Sequence, residues 1–353
     1  MQSPSRLKPA MSPATPPQSV SISEVAREAG VSIATVSRVI NGVANKAAPD
    51  TVARVRAVIA TMGYRPSSAG RVLRSGQSRL VAVLASNMGN PTMPAIAAAT
   101  EVALRRAGFV MVLCDTHDRP DLQDEYLREM RAQSARALVL LGAVDSPVLR
   151  DLAVAGEPVI YVNRRSPVEG TKAPYVGIDN RAAGLDVASW MARQSLTSVA
   201  MIHGALTSSA TLDRVQGFQE GLLSHAIALP KRSVLTVNGQ EHLEIGRLSM
   251  LRLLAQKSLP QAVFCTSDLI AYGAHRVTLE SGQPRANDIV FVGFDDSPIN
   301  PWVAPWLSTV RVPYAQFGDA IVQALQSPTR LEIILRHELI IRAVMAGVGA
   351  SHS

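Results

Sequence analysis

Residues 21 to 41, SISEVAREAGVSIATVSRVIN, carry two short helical patterns separated by a glycine. Ser21 and Glu24 have the spacing of a capping box, in which each side chain satisfies an unpaired N–H of the first turn. Val25, Ala26 and Ala29 then form an apolar stripe, Gly30 and Val31 make the turn, and a second helix starts at Ser32. That helix buries Val36, Val39 and Ile40 and leaves Ile33, Ala34, Ser37 and Arg38 on its other side. A face of small and polar residues with one long cation suits a helix that enters a major groove about 12 Å wide. The pair predicts a helix-turn-helix whose second helix reads DNA.

Charge agrees with this. Residues 1 to 78 hold ten Lys and Arg against three Asp and Glu, whereas residues 79 to 353 hold 25 of each sign. The whole excess of +7 therefore sits around the helical pair, the footprint of a polyanion-binding segment joined to a neutral body.

With EVAREAGVSIATVSRVING followed by GYRP and a neutral α/β body, the chain closely resembles the LacI/GalR transcriptional regulators over roughly residues 20 to 345. Further landmarks fall in the same order: VGIDN at 176–180, DRVQGF at 213–218, FCTSDLIAYGA at 264–274, VGFDD at 292–296 and STVRVP at 308–313. The resemblance implies DNA contacts by Ser32, Ile33, Ala34, Thr35, Ser37, Arg38, Asn41 and Tyr64. It also implies a hinge helix in residues 67–78 that pushes Leu73 into the minor groove, with Arg71 and Arg74 reaching phosphates. On composition alone, SSAGRVLRSGQS reads as a flexible linker. Gly70 stands where the family usually has Ala, at a cost of about 1 kcal/mol of helix propensity.

Before the headpiece, residues 1–19 are dominated by Pro and Ser and read as a disordered tail. After Asn41, the loop GVANKAAPD leads to a third helix over residues 51–62, whose Val52, Val55, Val58 and Ile59 close the headpiece. Ala48 stands where a capping Ser or Thr is usual, and Asp50 is expected to take over the cap. The domain division is therefore a helix-turn-helix domain at 20–66, the hinge at 67–78, a two-lobed effector-binding and dimerisation domain at 79–345, and a tail at 346–353.

In the body, apolar runs alternate with amphipathic stretches, the pattern of parallel sheets with covering helices. One series comprises LVAVLA, residues 95–107, FVMVLC, 122–134, ALVLLG, 147–155 and PVIYVN. After a short strand at Tyr175, the second comprises 181–194, SVAMIH, 212–224, SVLTV, 242–255, AVFCT, 269–281 and DIVFVGF. The fold class is thus α/β: an all-α headpiece and a body of two parallel-sheet lobes like those of periplasmic binding proteins. Ligands of such sheets sit beyond the carboxyl ends of the strands, here a cleft between lobes.

Polar residues after those strands are the cleft candidates: Asn87, Asn90, Asp115, Thr116, Asn163, Arg164 and His203, with Arg214 on the next helix and Asp268 after AVFCT. Asp179 and Asn180 read instead as helix caps. The resemblance places Arg214 and Asp268 on the effector, a guanidinium fork facing a carboxylate, which suits a sugar, a sugar acid or a nucleoside. Thr92 and Met93 replace a usual aromatic pair, and Glu241 replaces an aromatic residue of the purine-responsive member, so a purine is disfavoured.

No run of 18 or more apolar residues could span a membrane, and the N-terminus lacks a secretory segment, so cytoplasmic residence is expected. Cys114 and Cys265 read as buried free thiols, and no metal or cofactor spacing occurs. Absence of a G-x-G-x-x-G after a strand, a P-loop or a Ser/His/Asp set argues against an enzyme. The expected function is a homodimeric DNA-binding regulator, in the sense of a repressor, that binds a palindromic operator under control of a small polar effector. A solute-binding protein would share the body but not the basic headpiece, and the ending GVGASHS, without an apolar heptad, suggests a dimer.

Overall fold

In the computed structural model, the described residues are 20–41, 48–64, 78–326 and 332–342. The hinge residues Arg71, Leu73 and Arg74 and both tails lie outside them. The chain divides into two compact units between Ser78 and Arg79.

The first unit is a three-helix headpiece of α1 (Ile22–Glu28), α2 (Ile33–Ile40) and α3 (Pro49–Met62). The capping box at α1 is complete: Ser21 N–H donates to Glu24 Oε2 at 2.6 Å and Glu24 N–H donates to Ser21 Oγ at 3.3 Å. Gly30 takes a left-handed φ of 63°, which turns the chain between α1 and α2. Val25, Ala26, Ala29, Val36, Val39 and Val55 form the core, with Val52, Val58, Ile59 and Tyr64 packed against it. One expectation fails: Ala48 is the N-cap of α3 without any side-chain bond, and Asp50 lies in the first turn rather than at the cap. Pro49 at the first helical position removes one of the N–H groups a cap would have satisfied.

Among the described residues, the second unit carries twelve strands in two six-stranded sheets. β1 (Leu80–Ala85), β2 (Val110–Asp115), β3 (Ala137–Leu141), β4 (Val159–Val162) and β5 (Tyr175–Ile178) build the first. α4 (Thr92–Arg106), α5 (Pro120–Ala132) and α6 (Pro147–Ala155) alternate with them. β6 (Val199–Ile202), β7 (Val234–Leu235), β8 (Ala262–Cys265), β9 (Val290–Asp295) and β10 (Ser308–Arg311) build the second. Their helices are α7 (Asn180–Arg193), α8 (Ser209–Ser224), α9 (His242–Leu254), α10 (Asp268–Glu280) and the short α11 (Asn300–Val303). The chain then returns to the first lobe as α12 (Tyr314–Gln326), which packs on α4, and ends with β11 (Glu332–Leu335) and β12 (Glu338–Ile340).

The sheet orders are β11-β5-β4-β3-β1-β2 and β12-β10-β9-β8-β6-β7. Every pairing is parallel except β10 with β12. The lobes are therefore interleaved rather than sequential. The chain crosses from one to the other after β5, after β10, and between β11 and β12.

Central strands are buried on both faces, as their unbroken apolar runs require. β2 differs because it is an edge: Val110 is 55% exposed and Leu113 38%. Cys265 is buried and Cys114 only half-buried, and both are free.

Three helix pairs meet at glycines. A Cβ on Gly217 of α8 would lie 1.9 Å from the Arg181 carbonyl of α7, one on Gly273 of α10 1.9 Å from the Leu243 carbonyl of α9, and one on Gly318 of α12 2.2 Å from the Ala99 carbonyl of α4. Only a missing side chain lets these backbones approach so closely.

Candidate functional site: a reading helix and an interlobe cleft

In the headpiece, Ser32 caps α2 by accepting from Thr35 N–H at 3.2 Å, and its Oγ also lies 3.0 Å from Thr35 Oγ1. Asn41 closes the other end, its Nδ2 donating to the Ser37 carbonyl at 2.8 Å. Between these ends, Ile33 is 48% exposed, Ala34 and Arg38 are exposed, and Thr35 and Ser37 are half-buried. Tyr64 is half-buried against the headpiece core. Arg54 ties the bundle by donating from Nε to the Ala29 carbonyl at 3.0 Å.

In the body, a cavity of about 930 Å³ opens at the carboxyl ends of the strands of both sheets. The first lobe contributes Ser86, Asn87, Asn90, Thr92 and Met93 after β1, His117 and Asp118 after β2, and Asn163 and Arg164 after β4. From the second come His203, Arg214, Glu241, His242, Ser267 and Asp295. Asn87 Nδ2 and Glu241 Oε2, 3.4 Å apart, meet across the cleft.

Arg214 anchors the second lobe's wall. It is 6% exposed, with Nε donating to Asn180 Oδ1 at 2.8 Å and Nη1 to the Thr266 carbonyl at 2.8 Å. Its guanidinium lies 3.5 Å over the centre of the Phe294 ring. Asp295 Oδ1 stands 3.9 Å from Arg214 Nη1, an ion pair without a hydrogen bond. Burial pushes the Asp295 carboxyl well above its ordinary pKa, opposed by Arg214 and reinforced by the nearby Asp268 charge.

Two of the expected effector residues, Asp268 and Thr116, do not line this cavity. Asp268 is 1% exposed at the first position of α10 and accepts three hydrogen bonds: from Ser297 N–H at 2.8 Å, Asn300 Nδ2 at 2.8 Å and Thr309 Oγ1 at 2.6 Å. Both its oxygens are engaged within the protein, and the carboxylate that faces Arg214 is that of Asp295. Thr116 is buried with Oγ1 donating to the Ala85 carbonyl at 3.1 Å, and Asp115 accepts from Met88 and His117 N–H groups. Both hold the loops after β1 and β2 together. The structure does bring Thr92, Met93, Asn163, Arg164, Arg214 and Glu241 to the cavity.

Sequence reading underrated Asp295 and Asn180. Asp295 ends the apolar run VFVGFD, and that position was signal enough to place it at a strand's carboxyl end. Asn180 gave no such signal, since Asp179 alone caps α7, accepting from Ala182 N–H at 2.9 Å, while Asn180 orients Arg214. Backbone strain also gathers here: His117, Asp118, Asn163, Asp295 and Asp296 all have positive φ, 117° for Asp295. Such conformations cost on the order of 1–3 kcal/mol each and concentrate where side chains must be aimed.

A helix-turn-helix headpiece carried on the same chain as a two-lobed binding fold defines a ligand-responsive DNA-binding regulator. Residues 21–67 match the family described as bacterial regulatory proteins, lacI family, and residues 77–297 match periplasmic binding proteins and sugar binding domain of LacI family. The chain belongs to the LacI family of DNA-binding transcriptional regulators. It is 31% identical over 333 residues to the HTH-type transcriptional regulator CelR of Thermobifida fusca, covering 90% of this chain and 96% of that one. With the HTH-type transcriptional regulator PtxS of Pseudomonas putida it is 29% identical over 323 residues, 89% of this chain and 90% of that one. Among solved structures, a CelR–cellobiose complex superposes with a TM-score of 0.67 at 26% identity, covering 92% of this chain and 99% of the other. The lac repressor dimer bound to operator and an anti-inducer gives a TM-score of 0.78 at 22% identity over 94% and 100%, a likeness of fold.

Proposed function

We propose that this regulator binds a palindromic operator as a homodimer and is controlled by a small, hydroxyl-rich metabolite, a sugar or sugar acid, held in the interlobe cleft. Arg38 reads a base edge, with Ile33 and Ala34 in close apolar contact with bases. Ser32, Thr35, Ser37, Asn41 and Tyr64 serve the phosphates. Leu73 enters the minor groove at the centre of the operator, flanked by Arg71 and Arg74 on phosphates. The protein acts by binding, not catalysis, and works in the cytoplasm, where its DNA is. Among the described residues no helix is long and apolar enough to cross a membrane.

The observation that carries the effector half is the buried Arg214 facing Asp295 across 3.9 Å on the wall of a cavity of about 930 Å³. A buried guanidinium and carboxylate this close, without a hydrogen bond between them, offer paired donors and acceptors to vicinal hydroxyls. Ligand binding across the two lobes favours one relative arrangement of them, and that differential affinity is what the headpieces sense. The carbohydrate complex of the similar CelR supports this class of ligand.

The test is titration of a sugar and sugar-acid library into complexes of the chain with duplexes selected from a random pool. Wild type is expected to respond to a member of the library, and Arg214→Ala and Asp295→Ala to keep DNA binding but lose the response. An undiminished response in both variants would refute the site.

A further inference from the structure

The charges facing the cavity bear on the charge of its occupant. Four helices begin at it: Thr92 of α4, Ala210 of α8, His242 of α9 and Leu269 of α10 all line it from first turns. Each presents the positive end of a helix dipole. Two guanidiniums join them from opposite lobes. Arg164 is bound to Asp118 through Nη1 at 2.5 Å, so that pair is internally neutral. Arg214 is not neutralised in this way: it is buried, spends Nε and Nη1 on neutral partners, and its Nη2 makes no hydrogen bond among the described residues.

The acids on the wall do not cancel this field. Asp295 stands 3.9 Å away and burial disfavours its charge. Glu241 sits exposed at the rim, 3.4 Å from Asn87. Burial first, and then Arg164 and Arg214 against the opposing Asp118, push the pKa of His242 down to about 4.

We propose that the effector is a polyol carrying a single carboxylate, with the carboxylate against Arg214 on the side of Arg164 and the hydroxyls toward Asp295 and Glu241. The proposal rests on the cleft being the effector site. A neutral sugar can accept from Nη2 of Arg214 but brings no charge to offset the buried guanidinium. A diacid sets its second carboxylate against Asp118, Asp295 or Glu241.

Calorimetric titration of the full chain with matched sets tests this: aldose, aldonic acid and aldaric acid in the glucose, galactose, arabinose and xylose configurations. At least one aldonic acid is expected to bind about tenfold or more tighter than its aldose and its aldaric acid, a difference of about 1.4 kcal/mol. Arg214→Gln should erase that preference. An aldose that binds as tightly as its acid overturns the proposal, and so does failure of every acid. The two failures differ: an aldose that binds and shifts retention on selected duplexes leaves the sugar-controlled regulator standing. A chain on which no member of the sets binds or shifts retention loses both readings.

Discussion

Arg38 is exposed on α2 between the buried Val36 and Val39, so its removal leaves the headpiece packing intact. Arg38→Ala should cost about 1–3 kcal/mol of specific binding and relax one symmetric pair of base positions, as read by selection on random duplexes. Asp268 and Asp295 separate structure from recognition in the same way. Asp268→Ala leaves the Ser297 N–H, Asn300 Nδ2 and Thr309 Oγ1 donors buried without their acceptor, and should cost about 3 kcal/mol or more in urea unfolding. Asp295→Asn should cost far less and act on the effector response alone.

His242 gives the residue scale its pH dependence. Its folded pKa of about 4 lies below the ordinary 6.5, so the folded state binds fewer protons between those values. Its contribution is present above pH 6.5 and is lost as pH falls toward 4, a loss on the order of 3 kcal/mol. The raised carboxyls of Asp295 and Asp268 act in the opposite sense over part of that range. Comparing acid unfolding of wild type with His242→Gln isolates the imidazole: the variant should lose less stability between pH 6.5 and 4. Legibility at this scale was uneven. Val25, Val36 and Val55 declare their burial by periodicity, but whether a carboxylate after a strand turns into the cleft or under the next turn depends on partners far along the chain. Asp268 meets Thr309 from 41 positions away, and nothing local to the Ser-Asp dipeptide says so.

At the scale of elements, the tightest constraints are the glycine crossings. Gly217→Ala sets a methyl 1.9 Å from the Arg181 carbonyl, and neither backbone can move without parting α7 from α8. A loss of about 1–3 kcal/mol or more is expected in equilibrium unfolding of the body, with α8 displaced and Arg214 with it. Weakened effector binding should therefore accompany the weakened fold. The elements themselves were readable because buried parallel strands are continuous apolar runs and amphipathic helices repeat every 3.6 residues. Helix starts were less so: α4 begins at Thr92 rather than 95, and α8 at Ser209 rather than 212, since the first turns hold cavity-lining residues instead of an apolar stripe.

For the whole molecule, two lobes could be foreseen from the two runs of alternating strands and helices, whereas their interleaving could not. β5 joins the first sheet while the helix after it covers the second, and β11 and β12 are short strands of mixed exposure whose local pattern favours neither sheet. Truncation after Gln326 removes an edge strand from each sheet at once. It exposes β5, whose four residues are all buried, and β10, with three of four buried. The truncated chain is expected to aggregate in size-exclusion chromatography and to melt well below wild type in a single transition, not to lose one lobe and keep the other.

The crossings also set which parts of this regulator can be exchanged in one event. All three headpiece helices precede the boundary at Ser78, so one recombination breakpoint there separates the whole reading unit from the body. Neither lobe is continuous in the gene, although the residues lining each wall of the cleft are, within 86–164 on one side and 203–295 on the other. Transplanting the whole second lobe takes residues from α7 through β10 together with β12, while β11 and α12 stay behind. The headpiece can therefore be joined to another body by a single crossover, whereas exchanging one lobe without the other takes three.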